Sequence, residues 1–172
     1  LFGVPRSILP EICDSAGQLG MTDASLFGAP IAITGMAGDQ QAALIGQSCL
    51  EPGQTKATFG TGAFVLTQTG RTLPKSTNRL LATVAWQLGG ERHYALEGSV
   101  FVAGSLIQWL RDDLGLIDAS PDTEPLARSV EDNGGVYLVP ALSGLGAPHW
   151  QPHARAAIHG LTFAAKKAHV AR

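Results

Sequence analysis

A carboxylate and an amide, Asp39 and Gln40, stand side by side just after a short apolar run at residues 31–34. The run predicts a buried strand, and the Ala- and Leu-rich residues after Asp39 predict a helix. A carboxylate at a helix start meets the positive end of the helix dipole, and an amide can both donate and accept hydrogen bonds. The pair could therefore grip an alcohol and accept its proton. The alternative is that Asp39 only caps the helix and Gln40 faces solvent.

A second candidate is the tripeptide Gly60-Thr61-Gly62, which separates two β-rich runs at residues 55–58 and 63–67. Glycines allow backbone N–H groups to approach a phosphate closely, and the threonine hydroxyl can add a hydrogen bond. The tripeptide lacks the lysine and the spacing of a Walker A loop. A glycine-rich hairpin turn with no ligand is the alternative interpretation.

The clearest helical pattern covers residues 99–114, where apolar residues recur every three or four positions and Gly115 follows. Gly104 lies inside this pattern, where glycine costs about 1 kcal/mol relative to alanine. We therefore expect another group, either a nucleotide or a packed helix, to approach Gly104 closely. Gln108 is one turn further along the same face and would suit a purine or a ribose.

Other reactive residues form no recognised pattern. His149 and His153 are four residues apart, but a proline precedes each, so we predict no regular helix and no metal site there. Cys13 and Cys49 are far apart in sequence. We interpret them as buried thiols in a reducing cytoplasm.

The overall composition narrows the class of protein. The chain has 172 residues, 45% hydrophobic and 15% charged, with a net charge of −2, which is typical of a globular domain. The sequence contains no basic run that would bind nucleic acid, and its apolar stretches are too short to span a membrane.

The predicted elements alternate between hairpins and helices. Residues 14–28 predict loops, and the glycine pair 89–90 predicts a second hairpin. We expect a helix from Pro125 to about residue 133. Further strands are predicted at residues 81–86, 93–97, 136–139 and 156–161. This order predicts an α/β or α+β protein with a mixed sheet rather than an all-parallel Rossmann fold.

Several segments together resemble the FGGY carbohydrate-kinase family and, within it, the kinases of glycerol rather than those of xylulose or gluconate. The matching segments are ITGMAGDQQAAL at 33–44, TFGTGAF at 58–64, YALEGSVF at 94–101, IQWLRD at 107–112, VYLVPA at 136–141, GAPHW at 146–150 and IHGLT at 158–162. They are spread over nearly the whole chain.

The resemblance implies part of the actin-like, ribonuclease H-like ATPase fold, in which two domains flank a cleft. Residues 1–48 would end the first, substrate-binding domain, and residues 49–172 would begin the second, nucleotide-binding domain. The chain starts without methionine and stops within a helix-like segment. We therefore expect a piece of a longer enzyme. We also expect this piece to be inactive by itself and the intact enzyme to be homo-oligomeric.

The resemblance also implies roles for particular residues. Asp39 would be the catalytic base and a glycerol ligand, Gln40 would hold a second glycerol hydroxyl, and Phe64 would pack against the glycerol carbons. ATP, with Mg²⁺, would be bound through Gly60, Thr61, Gly62, Gly104 and Gln108. The expected reaction is transfer of the γ-phosphoryl group of ATP to glycerol, giving glycerol 3-phosphate.

Two alternatives stay open from the residues alone. One is a kinase of the same family that acts on another sugar or polyol. The other is an actin-like ATPase without a small-molecule acceptor, whose rate of ATP hydrolysis glycerol would not change.

Overall fold

The computed structural model describes residues 2–172. Eight strands and five α-helices follow one another along the described residues, together with two short 3-10 helices at Arg6–Ile8 and Ser120–Asp122. The order is β1 Ala16–Met21, α1 Ala24–Phe27, β2 Ala32–Gly35, α2 Asp39–Gly46, β3 Thr55–Phe59, β4 Ala63–Gly70, β5 Leu81–Leu88, β6 Glu91–Val100, α3 Gly104–Asp112, α4 Thr123–Arg128, β7 Tyr137–Val139, β8 Ala157–His159 and α5 Lys167–Ala171.

The strands form one four-stranded sheet, in the order β3-β4-β6-β5, and two two-stranded sheets, β1-β2 and β7-β8. The predicted α/β class is confirmed. The expected mixed sheet is not seen, because every pair of these named strands is antiparallel. The short turns after β3 and β5 explain the difference, since a tight turn can join only antiparallel neighbours.

Helix α2 covers one face of the four-stranded sheet. Leu44 of α2 and Leu66 of β4 are fully buried, and they belong to one apolar cluster with Cys49, Ala85, Trp86 and Ala95. Full burial of a leucine side chain stabilises the fold by about 1.5–3 kcal/mol. The cluster therefore fixes α2 on the sheet, and with it the residues at the start of α2.

A polar side chain, Gln68, is also fully buried in β4. Its Nε2 atom lies 3.2 Å from the Leu50 carbonyl oxygen and 2.9 Å from His93 Nδ1, and its Oε1 atom accepts a 2.8 Å hydrogen bond from the Gly70 N–H. Gln68 thus links the end of β4 to β6 and to the segment before β3.

We expect Gln68→Leu to lower the free energy of unfolding by about 1–3 kcal/mol, because the Leu50 carbonyl, the Gly70 N–H and His93 lose their partner. Urea denaturation followed by circular dichroism measures the change. Gln18→Leu, on the exposed part of β1, is the matched control and should change stability by less than about 0.5 kcal/mol. Equal stability of the two variants would show that Gln68 does not secure this part of the sheet.

Several predicted boundaries differ from the structure. Residues 14–28, which are predicted to be loops, contain β1 and the four-residue helix α1. β1 has little periodic pattern of its own and is defined by pairing with β2. The predicted helix at 99–114 is only Gly104–Asp112, because β6 continues to Val100, which pairs with Ala63.

Three further features of the chain differ from their predictions. Gly38 rather than Asp39 is the N-cap of α2, and Asp39 is the first residue of the helix. Helix α4 begins before Pro125 and ends at Arg128. Cys49 is buried as expected, whereas Cys13 is exposed.

Over residues 2–172, no helix has both the length and the apolar character needed to cross a membrane.

Candidate active site

The predicted phosphate-binding turn, residues 60–62, connects β3 to β4 and is attached to the start of α3. The Gly60 carbonyl accepts a 2.8 Å hydrogen bond from the Gly104 N–H. The Thr61 carbonyl accepts from the N–H of Ala103, at 2.9 Å, and from both the N–H and the hydroxyl of Ser105. Four hydrogen bonds therefore hold two consecutive carbonyl groups of the turn against α3.

This attachment sets the direction of the N–H groups in the turn. In a trans peptide the N–H points opposite to the C=O of the same plane. Because the Gly60 and Thr61 carbonyls face α3, the N–H groups of Thr61 and Gly62 point away from it. Two adjacent backbone donors aimed in one direction are suited to an anion such as a phosphate.

Glycine is required at two positions in this region, one where α3 meets the turn and one where the turn meets the end of β6. A Cβ atom at Gly104 would lie 2.5 Å from the Gly60 carbonyl oxygen, and one at Gly62 would lie 2.4 Å from the Val100 carbonyl oxygen. The close approach predicted at Gly104 is present, and the approaching group is the backbone of the turn. Gly104 is, however, the first residue of α3 and not a mid-helix position.

A cavity of about 840 Å³ opens beside the turn. Four predicted nucleotide-site residues line it together: Gly60, Thr61, Gly104 and Gln108. Ligand sites for small molecules commonly measure about 300–1,000 Å³, so the space is adequate for a nucleotide. Gly62 is not among the lining residues and packs against the end of β6 instead.

No sequence motif predicted the opposite wall of this cavity. It is formed by the 3-10 helix and by α4, through Ser120, Pro121, Thr123, Glu124 and Ala127. These residues follow α3 in a segment whose sequence has no motif, so only the folded chain shows that they face Gln108.

Asp39 and Gln40 form a second group at the start of α2. Asp39 is exposed, and its Oδ2 atom accepts a 3.1 Å hydrogen bond from Gln40 Nε2. Gln40 Oε1 accepts a hydrogen bond from Lys56 Nζ of β3, and the same Nζ donates to Thr58 Oγ1 at 2.9 Å. The start of α2 is thereby tied to β3.

Phe64 lies on the same side of the sheet as this group. It is directly opposite Thr58 on β3 and Ser99 on β6, and opposed residues of antiparallel strands share a face. Thr58 is only two residues before Gly60, which is about 7 Å along an extended strand. The structure thus brings Asp39, Gln40 and Phe64 to the end of β3 that leads into the turn.

Lys56 is the functional candidate that sequence reasoning did not identify. Its side chain is only 4% exposed. Burial lowers the pKa of Lys56, while the negative charges of Glu97 and Asp39 act in the opposite direction. Strand alternation, which places Lys56 and Thr58 on one face, was the available signal.

The loop that carries Trp150 packs against the end of β6. A Cβ atom at Gly146 would lie 2.1 Å from the Ser99 carbonyl oxygen. Trp150 contacts Phe101 edge to face, at 6.3 Å between ring centroids, and its Nε1 donates to the Arg79 carbonyl at 2.7 Å. Trp150 therefore anchors this loop through packing and one hydrogen bond, although the side chain is only half-buried.

Comparison with known proteins identifies the family. Residues 55–172 match the C-terminal domain of the FGGY family of carbohydrate kinases. The chain belongs to this family. It is 56% identical over all 172 residues to a glycerol kinase of Methylobacterium nodulans, and 59% identical over 162 residues to that of Sinorhizobium fredii. The chain spans about a third of the length of these relatives, 34% and 33% respectively.

Solved structures agree with this assignment. The glycerol kinase of Plasmodium falciparum with ADP has a TM-score of 0.84 and 39% identity, over 96% of this chain and 33% of that one. A xylulose kinase of Lactobacillus acidophilus has a TM-score of 0.79 at 20% identity, over 98% of this chain and 35% of that one, and supports the fold alone. The predicted actin-like ATPase fold is confirmed for the part that the chain covers.

Proposed function

We propose that the intact protein transfers the γ-phosphoryl group of ATP to glycerol, forming glycerol 3-phosphate. One observation carries the proposal: strand β3 ties the Asp39–Gln40 pair, through Lys56, to the same hairpin whose turn lines the large cavity. The pair proposed to bind the alcohol and the turn proposed to bind phosphate are thus both attached to strand β3. The similarity to glycerol kinases, one of them with ADP, agrees with both halves of the reaction.

In the proposed mechanism, each residue positions a reactant or stabilises charge. The transition state of phosphoryl transfer is largely dissociative, so positioning and electrostatics contribute most of the catalysis. Asp39 orients the attacking hydroxyl and accepts its proton, Gln40 holds a second hydroxyl, and Phe64 packs against the carbons. The N–H groups of Thr61 and Gly62 donate to the phosphates, where they stabilise the charge that develops.

The nucleoside part of ATP would occupy the cavity along α3, with Gln108 facing the ribose or the purine. The phosphates would extend past the turn to the side toward which the N–H groups of Thr61 and Gly62 point. We infer that Mg²⁺ arrives bound to the ATP phosphates. Within residues 2–172, no group of three His, Cys, Asp or Glu side chains could hold an ion by itself. Mg²⁺ commonly binds substrate phosphates with only one or two carboxylates. We therefore expect the ion to enter with ATP and to be bound mainly by the nucleotide phosphates.

We also propose the domain division at residues 48 and 49, with the substrate-binding domain before it. Since the chain covers about a third of its relatives, the rest of the cleft would come from residues beyond it, and the chain alone should not phosphorylate glycerol.

A homo-oligomeric enzyme in the cytoplasm remains our prediction. The two free thiols are compatible with a reducing compartment.

An assay of ADP release by the intact polypeptide, with glycerol, xylulose, gluconate and related polyols as acceptors, tests the proposal. We expect glycerol to give the highest kcat/KM and glycerol 3-phosphate to appear in equal amount to ADP. A higher kcat/KM with another acceptor would move the protein to a different substrate within the family. ATP hydrolysis at a rate that no acceptor changes would replace the kinase with an actin-like ATPase.

A further inference from the structure

Lys56 is a buried cation whose contacts all lead toward the proposed acceptor site. Its Nζ donates to Gln40 Oε1 and to Thr58 Oγ1, and its side chain is 4% exposed. Burying an ammonium group without compensation is strongly unfavourable, so a lysine in this place is a candidate for a functional role. The charged groups that face it are Glu97 of β6, whose carboxylate accepts from Ser99, and Asp39 of α2.

The direction of these hydrogen bonds determines which way the Gln40 amide points. A lysine ammonium has three donors and no acceptor, so the atom of Gln40 that faces it must be the carbonyl oxygen. The amide nitrogen is then on the other side, where it donates to Asp39 Oδ2 at 3.1 Å. Without Lys56, the contact with Asp39 alone would hold this orientation, so a 180° rotation of the amide, whose two ends have nearly the same shape, would be opposed by one hydrogen bond instead of two.

We propose that Lys56 is a positioning residue that fixes the orientation of the Gln40 amide, so that the acceptor alcohol meets an N–H donor from Gln40 beside the carboxylate acceptor of Asp39. This inference rests on the proposed function. The Gln40 nitrogen carries two hydrogens, and Asp39 takes one of them. The second hydrogen is available to the oxygen of a substrate hydroxyl. Lys56 itself is buried behind Gln40 and does not contact the substrate.

The arrangement has a consequence for substrate preference. A site that donates to a particular hydroxyl rejects analogues that lack it, because the donor is then left without a partner. Propane-1,2-diol and propane-1,3-diol each lack one glycerol hydroxyl. The diol that lacks the hydroxyl held by Gln40 should have the lower kcat/KM of the two. The preference for glycerol over that diol should depend on Lys56 as much as on Gln40.

The test compares kcat/KM for glycerol and the two diols in the intact enzyme and its variants. In Gln40→Leu, the ratio of kcat/KM for glycerol to kcat/KM for one of the two diols should fall. That diol lacks the hydroxyl held by Gln40, and it is the one used for the comparison. We expect Lys56→Met to lower the ratio of kcat/KM for glycerol to kcat/KM for that diol by about 5- to 150-fold, the range for leaving a polar group without its partner, while KM for ATP stays within about threefold. The double variant should be no worse than Gln40→Leu, because the two residues act through one contact.

Two further variants keep the result interpretable. Methionine matches lysine in length, and Lys75→Met at an exposed position is the matched control, with an unchanged ratio. Thr58→Val removes only the second hydrogen-bond partner of Lys56, and valine suits a strand, so the variant should fold. It should lower the same ratio of kcat/KM values, but by less than Lys56→Met. An unchanged ratio in both Lys56→Met and Thr58→Val, or additive effects of Lys56→Met and Gln40→Leu, would overturn the proposal.

A spectroscopic arm separates this inference from the proposed function. With ¹⁵N-labelled glutamine, the Gln40 side-chain amide can be assigned from its loss in Gln40→Leu. The amide hydrogen bonded to Asp39 should exchange with solvent slowly in the wild type and faster in Lys56→Met. If the enzyme proves inactive on glycerol, the proposed function fails, and the exchange rates alone decide the role of Lys56. Equal exchange in the wild type and Lys56→Met would refute that role whatever the activity.

Discussion

Asp39→Asn should lower kcat of the intact enzyme by about 10²- to 10⁴-fold, the usual contribution of a general base, with little change in KM for ATP. Asparagine keeps the size of the side chain and the start of α2, but it cannot accept the proton of the attacking hydroxyl. ATP is expected to bind beside α3, in the cavity lined by Gly60 and Thr61, so its affinity should be nearly independent of Asp39. Steady-state kinetics with glycerol and ATP varied in turn measure both quantities.

Asp23→Asn is the matched control. Asp23 is an exposed carboxylate at the N-cap of α1, where it accepts from the Ser25 N–H, and asparagine caps helices about as well. This variant should keep wild-type kcat. Equal turnover of Asp39→Asn and Asp23→Asn would remove Asp39 from the proton-transfer step and would leave positioning as the main source of catalysis.

Gly104→Ala should raise KM for ATP by about tenfold or more, equivalent to about 1.4 kcal/mol of binding free energy, and should also destabilise the fold. The added Cβ would lie 2.5 Å from the Gly60 carbonyl oxygen, so the turn must move away from α3. That movement would break the hydrogen bond from Gly104 and turn the N–H groups of Thr61 and Gly62. Overpacking of this kind costs about 1–3 kcal/mol of stability.

Gly46→Ala provides the comparison, because Gly46 also lies in a helix and its Cβ would meet nothing within 4 Å. There the substitution should stabilise the protein by up to about 1 kcal/mol, through the better helix propensity of alanine. Thermal melting and ATP titration of the two variants test the contrast. A Gly104→Ala variant with normal ATP affinity would show that the turn does not hold the phosphates.

The candidate residues that sequence analysis found are those whose signal is local. Asp39 and Gln40 are adjacent in the chain and follow a strand, and residues 60–62 lie between two strands that pair in the expected hairpin. Their chemistry can be inferred from neighbours within a few positions. The periodic pattern of α3 was also found, but its start was placed too early, because pairing with β4 extends β6 to Val100.

Residues whose role depends on distant partners could not be found in this way. Lys56 is 16 positions from Gln40, and it becomes a buried neighbour only when Leu44 and Leu66 bring α2 onto the sheet. Ser120 and Glu124 face the turn only because the chain folds back after α3. β1 is similarly defined by its pairing with β2 and not by its composition.

The amino-acid sequence by itself determined the kinds of chemical groups, the hairpin and helix that carry them and the family, because these depend on composition and on short-range order. The tertiary structure alone decided that strand β3 links the Asp39–Gln40 pair on α2 to the turn at Thr61, and that a buried lysine donates to the amide of Gln40. Such relations arise from long-range packing and strand register, in which burial of apolar surface overrides local preference.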